Sequence, residues 1–470
     1  MKARRMIAAL AGVLACAGTP ARAETLNGAL IRAYNASPVI NSGRAGLRAL
    51  DENVPLARSG MRPRAAADAY IGLQRNRGVT KQFDIDLNDP TKQAPTVSIQ
   101  TGPSTARSAI LSVEQPIFDG FRTQNATGAA ETGVFAGRER LRLLEQRVLF
   151  EAATAYMNVL RDTAALKLQQ NNVAVLAEQL RQIKERYLAG QITLTDIAQG
   201  EARLAGGEAQ VSAARAALDA SVGVYRQIVG EEPKRLAPAP ALDALLPKTR
   251  EEAERAALAE HPVVLAALHD ADAAQFDIRV AESDFMPKLS VVGDIFTQTN
   301  TAGIGNRSVG AMVGGRLNVP LYDGGATSSR VRQAKEVAGQ KRLDADVARA
   351  DVLALARANW GALQEAKARI GAAQTQIAAA ERALYGVREE AKAGQRTSLE
   401  ILNAQQELLN ARIGLVAAQR DRVVASYAVL GAAGRLSAAT LGLKVEGYDP
   451  SVHFDQVKDN WIDPTTPDGR

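Results

Sequence analysis

Gln115-Pro116-Ile117-Phe118-Asp119-Gly120 returns as Val319-Pro320-Leu321-Tyr322-Asp323-Gly324, a shift of 204 positions from 115 to 319. The same shift carries Ala189-Gly190-Gln191-Ile192-Thr193 onto Ala393-Gly394-Gln395-Arg396-Thr397, Tyr156 onto Trp360 and Gly230 onto Gly434. Upstream, Ser37-Pro38-Val39 matches His261-Pro262-Val263, and Met61-Arg62-Pro63 matches Phe285-Met286-Pro287, now with a shift of 224 from 37 to 261. One unit is used twice, and the first copy holds about 20 extra residues between Pro63 and Pro116. The chain divides into a targeting segment (1–23), a first repeat (24–230), a linker (231–250), a second repeat (251–445) and a polar tail (446–470).

The targeting segment has a basic start (Lys2, Arg4, Arg5), an apolar run from Met6 to Ala17 and Ala21-Arg22-Ala23 as a cleavage site before Glu24. A rival reading is a lipoprotein signal, with Val13-Leu14-Ala15 ahead of Cys16. Cys16 is the only cysteine, so the processed chain is expected to have neither disulfides nor thiol chemistry. Removal of the four basic residues Lys2, Arg4, Arg5 and Arg22 takes the formal charge from +6 to +2, which removes the case for nucleic acid as a partner. Beyond the segment no apolar run is long enough for a membrane helix, whereas β-strands of a membrane barrel need only alternate. Aromatic residues are 4% of the chain, a composition for long, closely packed helices.

Each copy reads as a helix, a pair of strands and two long helices. The opening helix spans about Leu26 to Ser59, broken at Ser37-Pro38, and Glu251 to Ser283 repeats it. After Pro63, Ala67, Ala69, Ile71 and Leu73 alternate with Asp68, Tyr70, Gly72 and Gln74. The second strand is expected from Thr105 to Phe118, and the second copy supplies Lys288 to Thr299 and Ser308 to Tyr322. Asn76 to Ser104 and Asn300 to Arg307 read as loops. Helices follow over Arg122–Leu188 and Thr195–Val229, then Ala326–Lys392 and Ser398–Ala433. Val173, Leu176, Leu180, Ile183 and Tyr187 recur in heptads. So do Ile197, Gly200, Leu204, Gly207, Val211, Ala214 and Leu218, and Ile401, Ala404, Leu408, Ala411, Leu415 and Ala418 in the second copy. Alternation of large and small residues along such a seam predicts a tight, left-handed antiparallel coiled coil. The linker, rich in Pro and Ala, is expected to hold a short helix, and the tail after Val445 to be poorly ordered.

Four strands cannot close a membrane barrel, and an open edge in lipid leaves backbone groups unpaired at several kcal/mol each. Two copies of the chain would give 8 strands with a filled interior, three would give 12 with room for a lumen. The duplicated strand, Pro-x-aromatic-Asp-Gly and long-helix unit, with Gly190-Gln191-Ile192-Thr193 and Gly394-Gln395-Arg396-Thr397 at its helical turns, resembles the TolC family of outer-membrane efflux and secretion channels. The resemblance covers about Glu24 to Leu443. It implies a homotrimer with a 12-stranded β-barrel in outer-membrane lipid and an α-barrel crossing the periplasm. It also implies partnership with a periplasmic adaptor and an inner-membrane pump of the RND or ABC type, for passive drug efflux or type I protein secretion. The other readings are a periplasmic coiled-coil adaptor or scaffold, and a channel lipid-anchored through Cys16.

Pro116, Phe118, Asp119 and Gly120, with Pro320, Tyr322, Asp323 and Gly324, mark the passages from strand to helix. The aromatics suit an interfacial belt, and the aspartates suit helix caps. Gly190 and Gly394 suit the left-handed ends of helices. The resemblance adds adaptor contact for Gly190, Gln191, Gly394 and Gln395. It also implies a periplasmic gate. Glu400 and Asn403 match the positions of paired aspartates, and Arg396 matches an arginine tied to the positions of Thr195 and Asp196. Ala391 stands where a linking tyrosine is common. A plainer reading fits as well: Thr397-x-x-Glu400 is a capping box and Thr193-x-x-Asp196 a close variant. An enzyme is not expected: His261, His269 and His453 lack metal-ligand spacing, and no phosphate-binding or nucleophile motif occurs, so no cofactor or metal is called for.

Overall fold

The computed structural model describes residues 23–85, 93–302 and 304–467; the targeting segment and Cys16 lie outside them. The described chain forms two compact units. One comprises the chain up to Gly43, Leu141–Val264 and Arg349–Tyr448, and the other Arg44–Arg140, Leu265–Ala348 and the chain from Asp449. No helix of the described residues is long and apolar enough to cross a membrane.

The first unit is helical. It contains α1 (Leu26–Ala36), most of the 67-residue α4 (Arg122–Leu188), α5 (Leu194–Val229), α6 (Arg250–Glu260), most of the 67-residue α8 (Ala326–Lys392) and α9 (Ser398–Ala432). Leu30, Leu149, Tyr156, Tyr225, Tyr427 and Leu430 centre its core, with at most 1% of any of them exposed. The Tyr156 hydroxyl lies 2.7 Å from the Glu24 carbonyl and 2.6 Å from that of Ala237, and burial pushes its pKa up to about 12. Glu24 itself pairs with the linker. Its N–H donates to Arg235 (2.7 Å), its carbonyl accepts from Ala237 (2.8 Å), and its carboxylate meets Arg32 and the Tyr225 hydroxyl. The short helix expected in the linker is not there: residues 231–249 are extended or turned. Pro233, Pro238 and Pro240 lack the N–H a helix needs and clash with a preceding turn. The segment instead lays Leu236, Leu242 and Leu246 against the core.

The two copies start alike with different chemistry. Ser37 Oγ accepts from Ile40 N (3.3 Å) ahead of Pro38, whereas His261 Nδ1 accepts from Val263 N (3.3 Å) ahead of Pro262. His261 is buried, which pushes its pKa down to about 4 and keeps the ring a neutral acceptor.

The seam between α4 and α5 packs as the heptads require. Leu176, Leu180 and Ile183 are buried, and a Cβ on Gly200 would sit 3.0 Å from Leu180 Cδ1, one on Gly207 3.0 Å from Leu176 Cδ1. The small residues are the holes that admit the leucine knobs.

The second unit carries a four-stranded antiparallel sheet in the order β1 (Arg64–Ile85), β2 (Gln93–Phe118), β3 (Lys288–Thr299), β4 (Arg307–Asn318). Three corrections to the sequence reading follow. The expected loop Asn76–Ser104 is largely strand. Asn76 pairs with Gly102 and the ladder continues to Ile85–Gln93; only residues 86–92 of that loop lie outside the described chain. Backbone pairing needs only a partner strand, so it persists where the hydrophobic alternation has ended. Strand β4 stops at Asn318, ahead of Val319-Pro320, since Pro320 has no N–H for the ladder.

The tail, third, is ordered: α10 (Pro450–Val457) starts on Asp449, whose carboxylate accepts from Ser451 N (2.8 Å), and buries Val457. Beyond it Arg58 reaches the Lys458 carbonyl and Asp459, and Arg62 reaches the Asn460 carbonyl and stacks 4.9 Å from the Trp461 ring. Composition hid these few anchors among polar residues.

His453 Nδ1 stands 2.8 Å from Oδ2 of Asp51, a fully buried carboxylate at the end of α2 (Pro38–Asp51). Burial raises the Asp51 pKa, and His453 and Arg138 pull it back. The other Asp51 oxygen has no hydrogen bond, so His453 is the partner that keeps this carboxylate tolerable. His453→Ala is expected to cost ~1–3 kcal/mol, the price of an orphaned buried acceptor, read as a lower unfolding midpoint. An unchanged midpoint would mean that the tail adds nothing to the unit.

Candidate channel wall and its two ends

The sheet sorts its residues by face. In register, Ala67 pairs with Leu111 and Leu111 with Ile295; Val113 pairs with Gly293 and Gly293 with Val313. Odd positions therefore share one face, with Ile71, Leu73, Leu111, Val113, Val291, Ile295, Val309, Val313 and Leu317 all exposed on it. The even face carries Asp68, Gln74, Ser108, Ser112, Glu114, Asp294 and Gln298, with Ile110, Phe296 and Met312 among them. Phe296 covers its cross-strand partner Gly310, where a Cβ would lie 2.6 Å from the ring. An apolar face opposite a mixed polar one, in strands of 12 residues in the second copy, is the pattern of a membrane barrel wall. Strands β1 and β4 are its edges, each paired on one side only.

The Pro-x-aromatic-Asp-Gly motifs stand where this wall meets the helices. The register slips between Pro116 and Phe118, a bulge that turns the strand out of the sheet. Asp119 Oδ2 accepts from Thr123 N (2.8 Å). Asp323 accepts from Gly325 N (3.0 Å) and Thr327 N (2.6 Å), and the Thr327 bonds hold the Asp323 carboxyl below the usual range. Both aspartates thus accept from the first turn of the following helix. Gly120 and Gly324 take positive φ of 72° and 70°. The next position differs between copies: Gly325 at φ 88°, but Phe121 at φ 67°. Phe121 is held there by an edge-on contact with Phe118 at 5.2 Å. Tyr322 is almost fully exposed, as is Leu321 beside it. Asp284 draws Arg122 (3.0 Å), Lys288 (3.1 Å) and Arg330 (3.7 Å) around one carboxylate beside the first junction. Its position, three residues before Pro287, gave no sign of this.

At the helical turns both copies end α4 and α8 alike. Gly190 (φ 72°) donates to the Tyr187 carbonyl and Gln191 to that of Arg186; Gly394 (φ 75°) donates to Ala391 and Gln395 to Glu390. These are Schellman-type ends. Thr397 with Glu400 then forms a complete capping box for α9, and Thr193 with Asp196 pairs in the same box positions at the start of α5. Asp196 accepts from Thr193 N (3.0 Å) and Oγ1 (2.8 Å), and Thr193 holds its pKa down. Glu400 accepts from Thr397 N at 2.8 Å, and its pKa is lowered by that bond and by Arg396.

The expected tie of Arg396 to Thr195 and Asp196 is not made within the chain. Arg396 instead bridges two carboxylates of its own hairpin, Glu390 at 2.8 Å and Glu400 at 2.7 Å, which raise its pKa. Thr195 is exposed. The two hairpins are tied by another pair, Arg203 Nη2 to Asn403 Oδ1 at 2.8 Å. Glu390 and Arg203 were therefore missed. Glu390 lies six residues before Arg396, a spacing that only the left-handed turn at Gly394 folds into contact. The repeat hides it further, since Arg186 and Ile192 hold the matching places in the first copy. Beside these turns an open groove of about 950 Å³ is lined by Gln182, Arg186, Gln191, Tyr385, Lys392 and Leu402, among others, so Gln191 alone of the four adaptor candidates enters it.

Amphipathic strands open at both edges, fed at each base by helices of 67 residues, define a channel-forming protein of the outer membrane. The chain belongs to the outer membrane efflux protein family, whose profile matches residues 30–231 and 255–435. It is 41% identical over 457 residues to the outer membrane efflux protein BepC of Brucella suis, covering 96% of this chain and 94% of that one. It is 28% identical over 347 residues to the alkaline protease secretion protein AprF of Pseudomonas aeruginosa, covering 72% of each. Its fold matches the crystal structure of the CmeC outer membrane channel of Campylobacter jejuni with a TM-score of 0.73 at 15% identity, over 92% of this chain and 89% of that one. The protein is thus an outer-membrane channel of the efflux and secretion class, which sets aside the reading as a periplasmic adaptor.

Gly120 offers a test of the junction. A Cβ there would lie 2.5 Å from Met286 Cβ and 2.9 Å from the Ser283 carbonyl, whereas at Gly324 it would meet open space. Gly324→Ala carries only the left-handed backbone cost, ~1–2 kcal/mol. Gly120→Ala is expected to lower the unfolding midpoint clearly further, and equal shifts would refute the close packing.

Proposed function

We propose that three copies of this chain assemble into a 12-stranded barrel with a continuous duct, through which substrates pass passively under the power of an inner-membrane pump docked by a periplasmic adaptor. The observation that carries this is the four-stranded sheet with an apolar outer face and two unpaired edges. In hydrocarbon such edges are intolerable, and pairing β1 of one copy with β4 of the next removes them. Kinship with BepC and with AprF supports both small-molecule efflux and protein secretion as cargo classes. Nothing in the reading asks the chain for catalysis. The groove at the helical turns, together with Gly190, Gln191, Gly394 and Gln395, is the adaptor's place in this scheme. Detergent extraction is expected to yield a stable trimer beginning at Glu24, by native mass measurement and N-terminal analysis. A stable monomer would refute the barrel.

The gate is proposed at the tip of the second hairpin. Three copies of Glu400 and Glu390, each pair offset by one Arg396, leave a net negative ring that favours cations at a narrow point. Asn403, engaged by Arg203, links this hairpin to the first and adds no charge. Arg396→Ser releases both carboxylates. It is expected to raise conductance and cation preference in planar bilayers, while Glu400→Gln lowers that preference. Since Thr397 and Arg396 hold Glu400 below the ordinary glutamate range, the preference should survive mild acid and fall only below that range. Thr397→Ala is the control: it costs the cap ~1 kcal/mol and leaves the charge. If Glu400→Gln leaves selectivity unchanged, Glu400 is a helix cap and nothing more.

A further inference from the structure

The outward, odd-numbered face of the sheet changes chemistry along its height. On β1 it is apolar from the helical base to Leu73. Beyond that, the odd positions of β1 read Arg75, Arg77, Val79 and Lys81. One row lower, Ile71 pairs with Arg107, Arg107 with Thr299 and Thr299 with Arg307. Arg75, Arg77, Lys81, Arg107 and Arg307 are all exposed.

The odd face carries charge of one sign only. Among the sheet's described side chains the acids Asp68, Glu114 and Asp294 all hold even positions. The remaining cations of the sheet, Arg64, Lys288 and Arg316, are also even and lie at the base. The face turned to lipid thus carries positive charge at its outer end only. At ~3.4 Å per residue and a tilt of roughly 40°, the 12 residues of β4 rise ~30 Å, enough to span an apolar band of ~25 Å. Arg107 and Arg307 then sit at headgroup level, with Arg75 and Arg77 roughly 10 and 16 Å above them and Lys81 roughly 26 Å above.

Snorkelling to an ordinary lipid surface would serve at either end of the wall, and the odd face has no Arg or Lys at the base. A one-sided rim, four-fifths arginine, fits an occupant that is strongly anionic and confined to one leaflet. Guanidinium groups bind phosphate oxygens in bidentate fashion. We propose that Arg107 and Arg307, with Arg75 and Arg77 above them and Lys81 extending the band outward, form a basic binding band for the phosphorylated glycolipid of the outer leaflet, the arginines holding its sugar phosphates while its acyl chains cover the apolar face. This rests on the barrel reading above, with hairpin tips outward.

The full-length trimer, stripped of lipid in detergent, is offered bis-phosphorylated lipid A or the same lipid dephosphorylated, and bound lipid is read by native mass spectrometry. The phosphorylated form is expected to bind about tenfold more tightly or better. A combined R75Q/R77Q/K81Q/R107Q/R307Q variant should lose that preference, and its charge-keeping counterpart, with each arginine changed to lysine, should retain most of it. Equal binding of the two lipids by the unaltered protein, or an undiminished preference in the glutamine variant, overturns the rim. The same spectra report the mass of the assembly, so a monomer, which would refute the barrel itself, is told apart from a trimer indifferent to phosphate.

Discussion

A backbone hydrogen-bond group in hydrocarbon must have a partner, and the rest of this molecule is arranged around that requirement. Each chain satisfies it for three pairings, β1 with β2, β2 with β3 and β3 with β4, and leaves the outer sides of β1 and β4 open. No rearrangement of four strands closes that gap within one chain. The helices meet the same demand more simply, since each satisfies its own ladder, and they need only bury a seam. The duplicated unit therefore joins one element that is complete in itself to another with two edges left open.

Duplication preserves geometry better than chemistry. Serine caps one opening helix and a neutral, buried histidine the other. Glycine turns one junction, and a phenylalanine with a left-handed backbone turns the other. The helical turns share their Schellman ends and capping-box positions, yet only the second carries the Glu390–Arg396–Glu400 chain of charge. Where the backbone path must be kept, several side chains serve; where two hairpins must differ in role, the charges have diverged.

Much of the architecture was legible because it is written in local periodicity. The 67-residue helices, the Gly-led turns between helices, and β3 read directly from repeats, heptads and alternation. The upper half of the first hairpin did not, because Arg75, Arg77 and Lys81 on one face and Gly78 on the other give no apolar alternation to read. The ordered tail escaped for the opposite reason: Phe454, Val457 and Trp461 are too few to form a period, and the arginines over two of these rings, Arg62 and Arg138, lie hundreds of residues away. The Arg396 partners escaped because a positive-φ turn brings Glu390 back beside them, and sequence spacing does not show which way a turn folds.

The bond network around Glu24 has a consequence for how the chain reaches its folded form. Glu24 meets Tyr225 across 201 positions, and Gln146 donates to the Gly434 carbonyl across 288. The helical core joins residues from Leu26 to Leu443. Contacts so distant in sequence close late and slowly, since the entropy of the long loop is lost before any of the reward arrives. A chain emerging from its start therefore cannot complete its helical core until nearly all of it has been delivered. Throughout that interval the apolar strand faces stand exposed and prone to aggregate. A chain of this topology therefore keeps its core unfinished through most of its own delivery.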